Sequence, residues 1–367
     1  METGSSGAVN VVEGHDVPAE LSPWRLGRRM VELAALGAVV AVVVLLGPGL
    51  GKLRDRLSHG SPGWVAAGLL LEVLSALSYV VLFRAVFCRR MSWRLSYQIG
   101  MSEQAANSVL SVSGAGGLAL GVWALRRGGM NAEHIGRRTV AFFLLTSLAN
   151  VAGVIVLAAL SLLGVIDDPN PALTYVFGLA AVASIVIVLA LGSILRRRAG
   201  AHRAPRPSGR LTRATRFARD ATGQGVGDAL LLLRRRPGGV IGGSVGTTAF
   251  DIAVLAACFA AFGHTPPLSV VVLGYLIGQL GGNLPTPGGI GGVDGGLIAT
   301  FVLYHQPLAT TTAAVLAYHS IAIWVPAVLG SVAFVQLRNT LRRESSPAAV
   351  CAPLAEPIDA EPRVTYA

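Results

Sequence analysis

An all-α polytopic membrane protein is the fold class this 367-residue chain predicts, and three observations predict it. Hydrophobic residues make up 53% of the chain against 13% charged, and mean hydropathy is +0.61, outside the range of soluble domains. Arginines gather between the apolar runs, as the positive bias of cytoplasmic loops requires. Glycine-rich runs at 113–117 and 285–292 interrupt stretches that would otherwise read as unbroken spans. The expected architecture is an inverted repeat of span, span, hairpin, span. It comprises about six full transmembrane helices plus two broken re-entrant helical hairpins, eight hydrophobic segments in all.

The composition also excludes other classes. A net charge of +11 could suggest nucleic acid, but the positive-inside rule already accounts for the arginines, so no nucleic acid is expected as a partner. Cys88, Cys258 and Cys351 have no CxxC spacing, and the histidines form no i,i+4 pair, so no metal site, disulfide framework or cofactor is indicated.

In chain order, residues 1–23 lack periodicity and are expected to be a disordered cytoplasmic tail, followed by a membrane domain over 24–343. Arg25, Arg28 and Arg29 precede the first span, 31–50, and place the N-terminus inside. The second span, 64–87, returns to Cys88-Arg89-Arg90. A stretch from Tyr97 to Leu125 begins and ends beside arginines and breaks in its middle, which predicts a hairpin dipping in from the cytoplasm. The span 140–165 leads to the acidic loop Asp167-Asp168-Pro169 outside, and 173–195 comes back. Between Arg196 and Arg236 stand twelve arginines and only two acids, the strongest orientation signal in the chain. This basic linker, 196–238, is expected to be cytoplasmic, either solvated or, over 211–233, an amphipathic helix on the inner leaflet. A span at 240–262, a second hairpin over 268–304 entering from outside, and a final span at 312–337 complete the membrane domain. Residues 344–367 should form a second disordered cytoplasmic tail. Repeat one is thus 31–165 and repeat two 173–337, in a plasma-membrane protein with both termini cytoplasmic.

Spacing supports the repeat. Asn107 followed by Gly114-Ala115-Gly116-Gly117 echoes Asn283 followed by Gly289-Ile290-Gly291-Gly292, 175 or 176 residues later. Glu72 and Asp251 fall in equivalent spans, ~12 Å and ~17 Å from the ends of their helices and so near the centre of a ~30 Å core. A charge there costs roughly 2.5 to 3.5 kcal/mol, which argues for a role.

The run Asn283-Leu284-Pro285-Thr286-Pro287-Gly288-Gly289-Ile290-Gly291-Gly292-Val293-Asp294 cannot continue a helix, since proline removes amide donors and glycine frees the backbone. At membrane depth such a break is tolerated only where protein or a watery cavity covers it, and many transporters build substrate sites this way. Glu72, Asp251 and Asp294 are candidates to line a polar cavity, with His319 as a basic partner. Glu103 and Arg84, nearer the cytoplasmic end, read as structural groups. Asn107, Asn283 and Thr286 could cap the half-helices. Gly288, Gly289, Gly291 and Gly292 could let a phosphate approach the backbone, and Gln98, Gln104 and Gln279 could add donors. Trp324 and Pro326 are expected to shape the last span.

With Tyr318-His319 and Trp324-Val325-Pro326-Ala327-Val328-Leu329-Gly330 downstream, the Pro-x-Pro-Gly-Gly-x-Gly run resembles the transmembrane region of the lysylphosphatidylglycerol synthase/flippase family. The resemblance spans roughly residues 25 to 340. Asp294 stands where the family usually has glutamate and His319 where it has arginine. It implies a flippase-like protein handling membrane lipids, anionic or aminoacylated, with substrate residues drawn from the set above and a separately encoded lipid-modifying enzyme as a partner. It stops before the family's cytoplasmic catalytic domain, so synthase activity is not implied. A proton- or cation-coupled small-solute transporter and a non-transporting membrane partner of such an enzyme remain open.

Overall fold

The computed structural model describes Val31 and residues 60–343, apart from 110–114, 129, 167, 202–209, 236 and 282–290. The expected first span, both tails, and Asn283, Thr286, Gly288 and Gly289 lie outside the described residues. Ten helices and no strand occur among those described: α1 Pro62–Phe87, α2 Trp93–Val109, α3 Ala115–Arg127, α4 Ala132–Leu162, α5 Pro171–Ala201, α6 Arg210–Arg235, α7 Pro237–Ala261, α8 Leu268–Gly281, α9 Gly292–Leu303 and α10 Leu308–Arg343. Five of them, α1, α4, α5, α7 and α10, are long and apolar enough to cross a membrane. The protein is therefore an all-α, multi-pass membrane protein.

The helices recur in register. The starts of α1, α2, α3 and α4 return as those of α7, α8, α9 and α10 after 175, 175, 177 and 176 residues, and α1 and α7 each open on a proline. The two equivalent helices α1 and α7 pack together more extensively than any other pair. They run in opposite directions, because Gly239 meets Ala85, Gly243 meets Leu82 and Gly246 meets Ser78. At the far end Ser61 N–H donates to Ala261 O at 2.8 Å. Glycines at this seam let the backbones approach as side chains could not.

Each hairpin hangs from one end of this pair. Gln104 Nε2 donates to Ala76 O at 3.2 Å and Gly100 meets Val80, so α2 runs back along α1 from the Phe87 end. Gly121 lies against Glu103 and Gly117 against Asn107, so α3 returns along α2. The five residues of α2 beyond Gln104, about 7 Å of rise, carry it to the level of Glu72. In the other repeat, Gly274 packs on Phe301 and Gly278 on Leu297, which makes α8 and α9 an antiparallel pair joined to the Ala261 end. Asp294 near the start of α9 then meets His319 on α10.

Two details refine the sequence reading. The 196–238 linker contains α6 over Arg210–Arg235, in line with the helix weighed for 211–233. It packs on α4 and α5, with Val226 and Leu232 buried, Gly192 against Val226, and Gly225 against Val140. Arg137 Nη1 donates to Gln224 Oε1 at 3.0 Å, and Asp228 lies 3.9 and 3.8 Å from Arg137 and Arg138. Part of the positive charge thus holds the helix in place. Secondly, the helix starts align Asp251 with Ala76, so Glu72 and Asp251 are one turn out of the repeat's register. They are neighbours across the antiparallel seam instead of symmetry mates.

Candidate functional site

The seam between α1 and α7 holds the polar centre. Glu72 is 5% exposed, and its Oε2 has no hydrogen-bond partner among the described residues. Asp251 lies within its electrostatic reach on α7. Ser75, one turn after Glu72 on the same face of α1, donates to Asp251 Oδ1, and Tyr275 Oη on α8 donates to Asp251 Oδ2 at 2.8 Å. Both Asp251 oxygens are therefore engaged while one oxygen of Glu72 stays unmatched. Buried polar atoms without partners are costly, which marks this one as a point where a ligand, water or proton would gain most.

Tyr318 on α10 joins this pair to a second one. Its ring meets that of Tyr275 edge-on, with centroids 6.5 Å apart, and its hydroxyl lies within electrostatic reach of Asp251, Glu72 and Asp294. Asp294 Oδ1 is 2.6 Å from His319 Nδ1, while Asp294 Oδ2 accepts from Gly291 N–H at 3.1 Å. Gly291 takes a φ of +87°, which a glycine adopts without strain, to begin α9. Its amide is therefore already used to cap the helix. His319 Nε2 has no described partner. Helices α1, α7, α8, α9 and α10 each contribute to this one cluster.

The first hairpin holds a separate group. Asn107 Oδ1 accepts from Gly117 N–H at 2.8 Å, capping the first turn of α3 as the sequence predicts. Glu103 is buried and takes a hydrogen bond from Tyr79 Oη at 3.0 Å, a structural pairing, with no basic side chain on it among the described residues. Arg84 also behaves structurally: its Nε donates to Met91 O at 2.8 Å, and its guanidinium stacks 4.4 Å from the centre of the Trp93 ring. Gln104 is spent on tying α2 to α1, and Gln279 is half-buried on α8. Pro326 lies inside α10 beside a half-exposed Trp324.

The structure thus gathers Glu72, Asp251, Asp294 and His319 and keeps Gln104 and Asn107 apart from them in the first hairpin. Ser75, Tyr275 and Tyr318 are the cluster members the sequence reading did not assign. Ser75 carried a signal, its i+3 spacing from Glu72; Tyr275 carried none, since only the packing of α8 on α7 brings it to Asp251. Among the described residues, no three His, Cys, Asp or Glu side chains converge as a metal ion would need.

Five apolar spans, an internal repeat in opposite senses and a buried acidic cluster at its interface define a polytopic membrane protein of the flippase-like kind. The family model described as "Lysylphosphatidylglycerol synthase TM region" matches residues 31–330, and the chain belongs to that family. The family is a transmembrane region and not a catalytic domain. No curated protein matches the chain.

Proposed function

We propose that the protein moves a lipid, or a lipid-linked head group, between leaflets by alternating access around the Glu72–Asp251 seam, without enzymatic activity of its own. The observation that carries this reading is the unmatched carboxylate of Glu72 facing Asp251 between two oppositely directed repeat units. Transporters built from inverted repeats place their sites at such interfaces, and intramembrane acids persist there because they work. The hairpins act as re-entrant wedges from opposite faces, and Asn283, Thr286, Gly288 and Gly289, which lie outside the described residues, are carried as substrate candidates on their sequence alone. In the plasma membrane, with both termini cytoplasmic, the α2–α3 hairpin opens to the inner leaflet and α8–α9 to the outer. The cargo is an anionic or aminoacylated lipid supplied by a separately encoded enzyme.

Translocation of fluorescent phospholipids in proteoliposomes tests this. Replacing Asp251 with alanine should abolish it, and an unchanged rate would sink the reading. One observation favours a second reading, a proton- or cation-coupled solute transporter: Asp251 sits in a cage of hydroxyls from Ser75 and Tyr275, with Tyr318 nearby, that suits a small ion. Currents across the bilayer without lipid movement would select it.

A further inference from the structure

The first hairpin contains a pocket that the central cluster does not use. It has a volume of about 110 Å³ and lies between α1, α2 and α3 on one side and α4 on the other. The rings of Tyr79, Phe87, Phe142 and Phe143 wall it, and Glu103 supplies its carboxylate. That carboxylate is 7% exposed and receives only the Tyr79 hydroxyl, on Oε2. Oε1 lies against Gly121, so close that a Cβ there would overlap it. No basic side chain pairs with Glu103 among the described residues.

The two halves differ at this place. At the 176-residue spacing that aligns α4 with α10, Phe143 corresponds to His319. In repeat two His319 pairs with Asp294 at 2.6 Å, which joins α9 to α10. In repeat one Leu118 at 38% and Phe143 at 51% exposure are apolar, and both line the pocket between α3 and α4. The contact of α9 with α10 is therefore pinned by a polar pair, while the pocket between α3 and α4 opens between two apolar, exposed residues.

We propose that this pocket binds the ammonium group of an amphiphile, with the ammonium on Glu103 and the hydrocarbon leaving between Leu118 and Phe143. A buried carboxylate with no basic partner among the described residues, in a pocket lined by aromatic side chains, suits a cation. The volume fits an ethanolammonium or trimethylammonium head and leaves no room for acyl chains. The exposed apolar mouth points to a lipid amine over a dissolved one. The inference rests on the lipid-moving reading only for its place on a transport route.

The test is lipid retention by the full-length protein released from nanodiscs of phosphatidylethanolamine and phosphatidylglycerol, measured by native mass spectrometry, with ethanolamine as soluble competitor. Retention of phosphatidylethanolamine over phosphatidylglycerol should fall at least tenfold in Glu103→Gln, which removes the charge and keeps the size of the side chain. Leu118→Trp leaves the carboxylate intact and blocks the mouth from an exposed position, and it should produce the same loss. Displacement of the lipid by millimolar ethanolamine would assign the site to ammonium compounds generally, and resistance to it would assign the site to the lipid form. Equal retention of both lipids by the unmodified protein, or unchanged selectivity in both variants, overturns the proposal. Because retention is read without translocation, failure of the transport reading leaves this assay interpretable.

Discussion

Alanine substitution at two adjacent glycines of α7 separates a packing seam from an ordinary helix surface. A Cβ on Gly243 would stand 2.6 Å from Leu82 N, 2.7 Å from Leu82 Cβ and 2.8 Å from Leu82 Cα. Two of these are backbone atoms that no rotamer change can move. Carbon contacts are comfortable at about 3.5 Å or more, so α1 and α7 would have to part by roughly 0.7 to 0.9 Å. Overpacking of this kind costs about 1 to 3 kcal/mol. A Cβ on Gly242 meets nothing within 4 Å, and there alanine should gain up to about 1 kcal/mol of helix propensity. Gly243→Ala is expected to lie about 2 to 4 kcal/mol below Gly242→Ala when purified protein in mixed micelles is unfolded with dodecyl sulfate. The parting also separates Ser75 from Asp251, so Gly243→Ala should lose lipid translocation where Gly242→Ala keeps it. If the two variants unfold together, the close seam assigned to α1 and α7 is wrong.

Three further outcomes are expected. Asp294→Asn should cost about 2 kcal/mol by weakening the contact with His319, whereas the double variant Asp294→Leu, His319→Phe, which replaces the polar pair by an apolar one, should be less unstable than the sum of its singles in the same unfolding assay. Asn107→Ala should lower stability by about 1 kcal/mol through loss of the cap on Gly117 N–H, and hydrogen exchange at the start of α3 should report it. Single cysteines at Arg90 and Thr265, both exposed and at opposite ends of the α1–α7 pair, should react with an impermeant maleimide from opposite faces of a sealed vesicle. Labelling of both from one face would contradict the inverted arrangement.

Much of this architecture was legible in the sequence because membrane folds are written in coarse signals. Hydropathy marked the five spans among the described residues, and the arginines between them gave directions that agree with the antiparallel course of α1 and α7. The break after Asn107 was readable because Gly114 to Gly117 cannot be mistaken for a span interior, and the asparagine that caps it stood at a matching place in both halves. Side-chain partners were not legible. Tyr275 is an unremarkable residue in an apolar helix until α8 folds back on α7. Glu103 was read as a structural group near the cytoplasmic end, but its partner Tyr79 and its burial against Gly121 follow only from the antiparallel return of α3. The linker helix α6 was recognised by composition, but nothing in its pattern said that α4 and α5 would receive it, since the contact depends on Gly192 and Gly225 offering room.

The two halves also carry different chemistry on one scaffold. Asp294 and His319 hold α9 to α10 at 2.6 Å, whereas Leu118 and Phe143 leave a pocket between α3 and α4 beside Glu103. A polar pair resists separation inside an apolar bundle, and an apolar contact does not, so the two hairpins should differ in how readily they part from their neighbouring span. The Glu72–Asp251 pair takes one acid from each half, so neither half forms that site alone.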